Sequence, residues 1–211
     1  MNPRYKDLEQ LLQAYRSKKS GIRERLAQFR AIPPEKYFYE LVYCFMTPQS
    51  SAVNSTKAQQ MLAFHDFQHA EINPEPLLHQ KEYYIRFHKT KARLLLEMKA
   101  HYGEILDAIS NGSSAVEKRE WLVANVRGIG YKEATHFLRN IGRNDGLAIL
   151  DRHILKNLKK HGVIRSLPRS LTRKKYLSIE NRFQKFAGKI GIPVDELDLV
   201  FWSNETGEIL K

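Results

Sequence analysis

The sequence predicts an all-α protein of about ten helices and no sheet, on the spacing of its apolar residues and on the chemistry of its helix ends. Tyr5, Leu8, Leu11, Leu12 and Tyr15 recur in steps of three and four, as do Ile22, Leu26 and Phe29. A strand would need alternation, which none of these runs shows. Pro33-Pro34 then opens a helix carrying Leu41, Val42, Phe45 and Met46, and a later segment repeats the pattern through Ala92, Leu95, Leu96 and Tyr102. Asn111-Gly112 ends one helix, and Ser114-Ala-Val-Glu117 is a capping box for the next, over about residues 116–126. Ala134, Phe137, Leu138 and Ile141 mark another apolar face. Asp151 is an N-cap residue for a helix over about 152–161, closed by His161-Gly162. Tyr176, Ile179, Phe183 and Phe186 line a further helix, with Gly188 to Pro193 separating the last two.

Composition narrows the class. In 211 residues, 35 Lys+Arg against 23 Asp+Glu leave a formal charge of +12, and 42% of the residues are hydrophobic. A chain of this length makes one or two domains and buries about 70% of its unfolded surface, so global disorder is excluded. No run approaches the roughly 18 apolar residues of a membrane span, and the charged start Met-Asn-Pro-Arg-Tyr-Lys-Asp lacks a signal-peptide core. The expected location is intracellular, with no membrane partner. A single cysteine, Cys44, excludes an intramolecular disulfide, a four-cysteine zinc site and a four-cysteine iron–sulfur cluster. Its apolar neighbours make it a buried, inert thiol.

The most informative stretch is Val126-Arg-Gly-Ile-Gly-Tyr-Lys-Glu-Ala134, in which one amphipathic helix meets a Gly-x-Gly turn and a second helix starts at once. This is a helix–hairpin–helix signature. Glycine suits a tight turn whose backbone must approach a ligand closely. Amides of the turn, with the positive end of the helix dipole behind them, favour a phosphate, so a DNA backbone is the natural ligand for Arg127, Gly128 and Gly130. A tight structural connection is the plain alternative. Lys132 follows the second glycine by two positions, and Asp151, in Leu150-Asp-Arg-His153, follows Lys132 by 19.

With Gly-hydrophobic-Gly-x-Lys and Asp-x-His at that distance, the chain resembles the helix–hairpin–helix DNA glycosylase superfamily. The end of the chain, Leu197 to Lys211 with Trp202 inside it, narrows the likeness to the type 2 8-oxoguanine DNA glycosylase/lyases, as do Gly130 to Asn140 and Arg86-Phe-His-Lys-Thr-Lys-Ala92. The likeness covers most of the chain beyond about residue 30. Arg127 departs from it, since many superfamily members carry Pro before the hairpin; the stiffness of the turn is left open, and Arg127 would add a phosphate contact.

The resemblance implies two helical lobes with a DNA-binding cleft between them, residues 30–143 carrying the hairpin and residues 1–29 with 144–211 forming the other. It implies a bifunctional enzyme that excises 8-oxoguanine from double-stranded DNA and then cleaves the strand by β-elimination, with no cofactor and no metal. Lys132 is the expected amine nucleophile: a helix N-terminus disfavours a nearby ammonium, and a cleft would desolvate it. Asp151 would stabilise positive charge developing on the sugar while capping its helix. His153 reads as a structural histidine.

Flipping a base out of the stack requires a filler and a pocket. Gln49, in Met46-Thr-Pro-Gln-Ser-Ser-Ala52, is the expected filler of the vacated stack, or else part of an ordinary loop. Phe87 and Trp202 would sandwich the purine, although aromatic residues at helical spacing commonly belong to a core. Lys211 would offer its α-carboxylate to the base, against the alternative of a frayed tail. Lys156 to His161 and Arg165 to Lys175 concentrate positive charge that would face phosphates. A pyrimidine-damage glycosylase of the endonuclease III type shares the Lys and Asp but carries a C-terminal cysteine cluster that this chain lacks. A DNA-binding module without catalysis is the other competing reading. The glycosylase is expected to act as a monomer.

Overall fold

The computed structural model describes residues 5–207, which form ten α-helices and no β-strand; Lys211 lies outside them. The helices are α1 (Leu8–Arg30), α2 (Tyr37–Met46), α3 (Ala52–Phe64), α4 (His88–Ala100), α5 (Tyr102–Ser110), α6 (Ala115–Asn125), α7 (Tyr131–Asn140), α8 (Arg152–Lys160), α9 (Arg173–Ile190) and α10 (Val194–Thr206). They fall into two compact units. One is Ile32–Ile141; the other joins the chain up to Ala31 to the chain from Gly142 onward.

In the Ile32–Ile141 unit the central element is α2, which packs against α3, α4 and α7. Its sequence, Tyr-Phe-Tyr-Glu-Leu-Val-Tyr-Cys-Phe-Met, is apolar nearly all round, and every residue except Tyr39 is buried. The one charge in it, Glu40, accepts hydrogen bonds from Asn140 Nδ2 at 3.1 Å and Gln59 Nε2 at 3.5 Å, which tie α7 and α3 to it. Cys44 is fully buried, as expected of an inert thiol. The capping box at α6 is complete: Ser114 Oγ accepts from the Glu117 amide at 3.2 Å, and Glu117 Oε2 accepts from the Ser114 amide at 2.8 Å.

In the other unit α1 packs along α10, and α10 along α8 and α9. Tyr15 and Arg23 of α1 donate to the two oxygens of Glu196, at 2.5 and 3.1 Å. The irregular run 147–150 lies buried, and side chains satisfy much of its backbone. Two residues of α9 do this. Glu180 accepts from the Ala148 amide at 2.9 Å, while the Tyr176 hydroxyl accepts from Leu150 N at 3.2 Å and donates to Ala148 O at 2.6 Å. That side-chain ladder delivers the chain to Asp151 in a fixed register.

Two expectations need correction. Gly188 lies inside α9, and the break before α10 is Gly191 to Pro193, where Gly191 takes φ 71° as the left-handed C-cap. Ala92 to Tyr102 is not one helical face: α4 stops at Ala100, Tyr102 begins α5, and Leu96 is 43% exposed. Apolar spacing alone does not separate two helices joined by a single residue, His101.

Candidate active site

The two hairpin glycines differ, and only Gly128 requires the absence of a side chain. Gly128 has φ +90°, and a Cβ there would stand 2.7 Å from Leu94 Cδ1 and 3.2 Å from Phe45 Cε1. A side chain is therefore excluded by conformation and by the packing of α4 and α2. Gly130, the N-cap of α7, is extended, with φ −102°. A Cβ there would meet only Glu133 Oε2, at 3.2 Å, the far end of a flexible side chain. Among the described residues no side chain caps α7, so its first amides are open to an external acceptor, which suits an anion. Arg127 is exposed and ion-paired with Glu97 at 3.4 Å; at such exposure the pair is weak enough to yield to a phosphate.

Lys132 occupies the first turn of α7 with its side chain 24% exposed. Its Nζ lies 3.5 Å from Thr47 Oγ1 and 3.4 Å from Glu133 Oε1. Thr47 caps the end of α2, and its hydroxyl donates to Cys44 O at 3.0 Å, leaving a lone pair towards the amine. Neither Thr47 nor Glu133 is evident as a site residue from sequence, although Glu133 adjoins Lys132.

Gln49 and Phe87 share a property that sequence does not reveal. Both lie in the left-handed region, at φ 56° and 61°, where neither has the short polar side chain that eases this conformation for Asp or Asn. Both are exposed, and the Arg86 guanidinium stands 5.0 Å from the Phe87 ring centroid. Their neighbours are joined: the Arg86 amide donates to Ser50 Oγ at 3.2 Å. The unit thus brings Gln49 and Phe87 to adjoining segments, and Thr47 links the first of them to Lys132.

In the other unit Asp151 caps α8, one carboxylate oxygen, Oδ1, accepting from the amides of His153 and Ile154 at 2.8 Å each. The His153 ring leaves this loop and packs on Trp202 of α10, with centroids 5.0 Å apart. Its Nδ1 lies 3.8 Å from Glu205 Oε2. Trp202 is half-buried. Lys156 donates to Glu205 at 2.8 Å, so this member of the basic run has an internal partner as well as solvent. Glu205 is accordingly held below the ordinary carboxylate range, chiefly by the Lys156 hydrogen bond. Among the described residues no cluster of three or more His, Cys, Asp or Glu stands where it would hold a metal ion, and no helix is long and apolar enough to cross a membrane.

The 8-oxoguanine DNA glycosylase family matches residues 22–192. The chain belongs to this family. It is 38% identical over 219 residues to the 8-oxoguanine DNA glycosylase/AP lyase of Fusobacterium nucleatum, covering 100% of this chain and 99% of that one. The solved 8-oxoguanine DNA glycosylase of Thermotoga maritima superposes with a TM-score of 0.85 at 30% identity, over 97% of this chain and 98% of that one. The Methanocaldococcus jannaschii 8-oxoguanine glycosylase/lyase, solved with a 15mer DNA containing 8-oxoguanine, gives 0.83 at 32% identity, over 96% and 100%.

Proposed function

We propose that this chain is a bifunctional DNA repair enzyme that removes 8-oxoguanine from double-stranded DNA and then cleaves the strand at the resulting site. The observation that carries this reading is the amine of a family member's hairpin lysine: Lys132 stands at the uncapped N-terminus of α7, partly buried, with an oxygen of Thr47 against it.

The chemistry runs through Lys132 Nζ. Its lone pair attacks C1′ of the damaged nucleoside as the bond from C1′ to the purine breaks, and the purine leaves with a proton. Opening of the sugar ring gives a Schiff base between Nζ and C1′. The C2′ proton, made acidic by the iminium, is then removed, and the 3′ C–O bond breaks with loss of the phosphate. Asp151 supplies negative charge to the sugar as the purine departs, and Thr47 and Glu133 hold the amine. Phe87 and Trp202 stack on the flipped purine, Lys211 adds to recognition of the base, and Gln49 occupies the gap left in the duplex. Arg127 and the amides at Gly128 and Gly130 hold the phosphate backbone and carry no sequence information. The chain acts as a monomer and without a cofactor.

A duplex with a single 8-oxoguanine, labelled at one end and run on a denaturing gel after incubation, tests this. The expected product is a strand cut at the lesion without added alkali. Cutting of a thymine glycol duplex in preference would favour the endonuclease III reading, and binding without cutting would reduce the chain to a DNA-binding module.

A further inference from the structure

Lys91 is a buried cation in the Ile32–Ile141 unit, only 6% exposed, and the reaction described above leaves it without a role. It rises from the first turn of α4, where its own amide donates to Phe87 O at 3.0 Å. Its Nζ donates to Met46 O and to Pro48 O, at 2.8 Å each. Met46 is the last residue of α2, so this ammonium satisfies an orphan carbonyl at the negative end of a helix and also holds the loop that follows. Burial, then the charge of Lys132, lowers the Lys91 pKa to about 8, with Glu133 acting the other way. The two lysines therefore share one electrostatic neighbourhood.

A neutral side chain at this place would be far cheaper to bury, because a desolvated ammonium is costly unless its donors are used. What the cation adds is a hydrogen bond to the last carbonyl of α2 together with one to the loop that follows it. Pro48 O lies one residue before Gln49, whose φ of 56° is a conformation that a Gln keeps only when its surroundings impose it. On the other side of Lys91, Phe87 is likewise left-handed, and the Arg86 amide reaches the loop at Ser50.

We infer that Lys91 is a positioning residue for base flipping: a buried ammonium clamp that fixes the 47–49 loop so that Gln49 is presented to the DNA stack. This rests on the reading of Gln49 as the residue that fills the vacated stack. Lys91 touches neither base nor sugar; it acts through the loop.

The test is a double-mutant cycle with Lys91→Met and Gln49→Ala in the full chain. The quantity read is the single-turnover rate on an 8-oxoguanine duplex divided by the rate on a duplex with a preformed abasic site. The second substrate has no base to flip, so a variant that had merely lost folded protein would lower both rates and leave the ratio unmoved. The expected ratio for Lys91→Met is lower by about 10²-fold, the scale of an ångström-level misplacement. Adding Gln49→Ala should change it further by no more than about twofold, because both substitutions remove one device.

Losses that multiply would overturn the clamp, as would a wild-type ratio for Lys91→Met where Gln49→Ala lowers it. A wild-type ratio for Gln49→Ala would instead remove the stack-filling reading, and the clamp with it. Should Lys91→Met fail to fold, Lys91→Gln is read in its place. It is polar but too short to hold both carbonyls, and the ratio must again fall.

Discussion

Asp151 accepts the Ile154 amide at 2.8 Å through Oδ1, the same oxygen that takes the amide of His153, so Oδ2 stands outside the helix cap. One carboxylate can therefore cap α8 and still present an oxygen and a full negative charge to a substrate. The substitution Asp151→Asn separates these roles, since Asn is nearly as good an N-cap and keeps a carbonyl oxygen at the same place. Thermal unfolding should be almost unchanged, while excision falls by about 10²-fold or more, the cost of losing one preorganised charge. Near-normal turnover in the Asn variant would leave Asp151 as a cap alone.

The two hairpin glycines should also separate. Gly128→Ala forces a side chain into φ +90° and against Leu94, so denaturant unfolding should show a loss of about 1–3 kcal/mol. Gly130→Ala meets only the end of Glu133 and should cost less than about 1 kcal/mol. Its methyl group nevertheless stands at the uncapped start of α7, so its DNA affinity should fall while its stability holds. Equal loss of stability in both variants would contradict this division.

His161 makes the unit that contains it sensitive to acid. Its ring stacks on Phe201 and Phe186, with centroids 5.5 and 6.2 Å away, and its Nδ1 donates to Lys6 O at 2.9 Å. Burial lowers its pKa, assisted by Lys160 and opposed by the Lys6 carbonyl and by Asp7. A histidine depressed in this way binds its proton more readily when unfolded. Stability is thus complete above the ordinary histidine pKa of about 6.5 and is lost as pH falls below it. Melting temperatures taken from pH 7.5 down to pH 5 should show this decline, and a His161→Gln variant should show less of it at that end of the range.

Much of this architecture was legible in the sequence because its signals are local. The capping box Ser114–Glu117, the N-cap Asp151 and the buried α2 each follow from residues within a few positions of one another. The hairpin was legible for the same reason, since Gly128, Gly130 and Lys132 lie in one short run. The rest depends on contacts distant in sequence. Thr47 meets Lys132 across 85 positions and Lys91 meets Met46 across 45, and no spacing rule joins them. Nor does a sequence announce that Gln49 and Phe87 are held left-handed, because their residue types argue against it. Where the apolar pattern ran on through His101, the helix break was lost as well.

In the proposed reaction Lys132 Nζ becomes covalently joined to the sugar. Borohydride reduces a Schiff base to a stable amine, so wild-type protein incubated with an 8-oxoguanine duplex and borohydride should run on a denaturing gel as a protein–DNA adduct. Lys132→Gln should give no adduct and no excision, while still retarding the same duplex on a native gel. An adduct from the Lys132→Gln protein as abundant as from wild type would mean that another amine is the nucleophile.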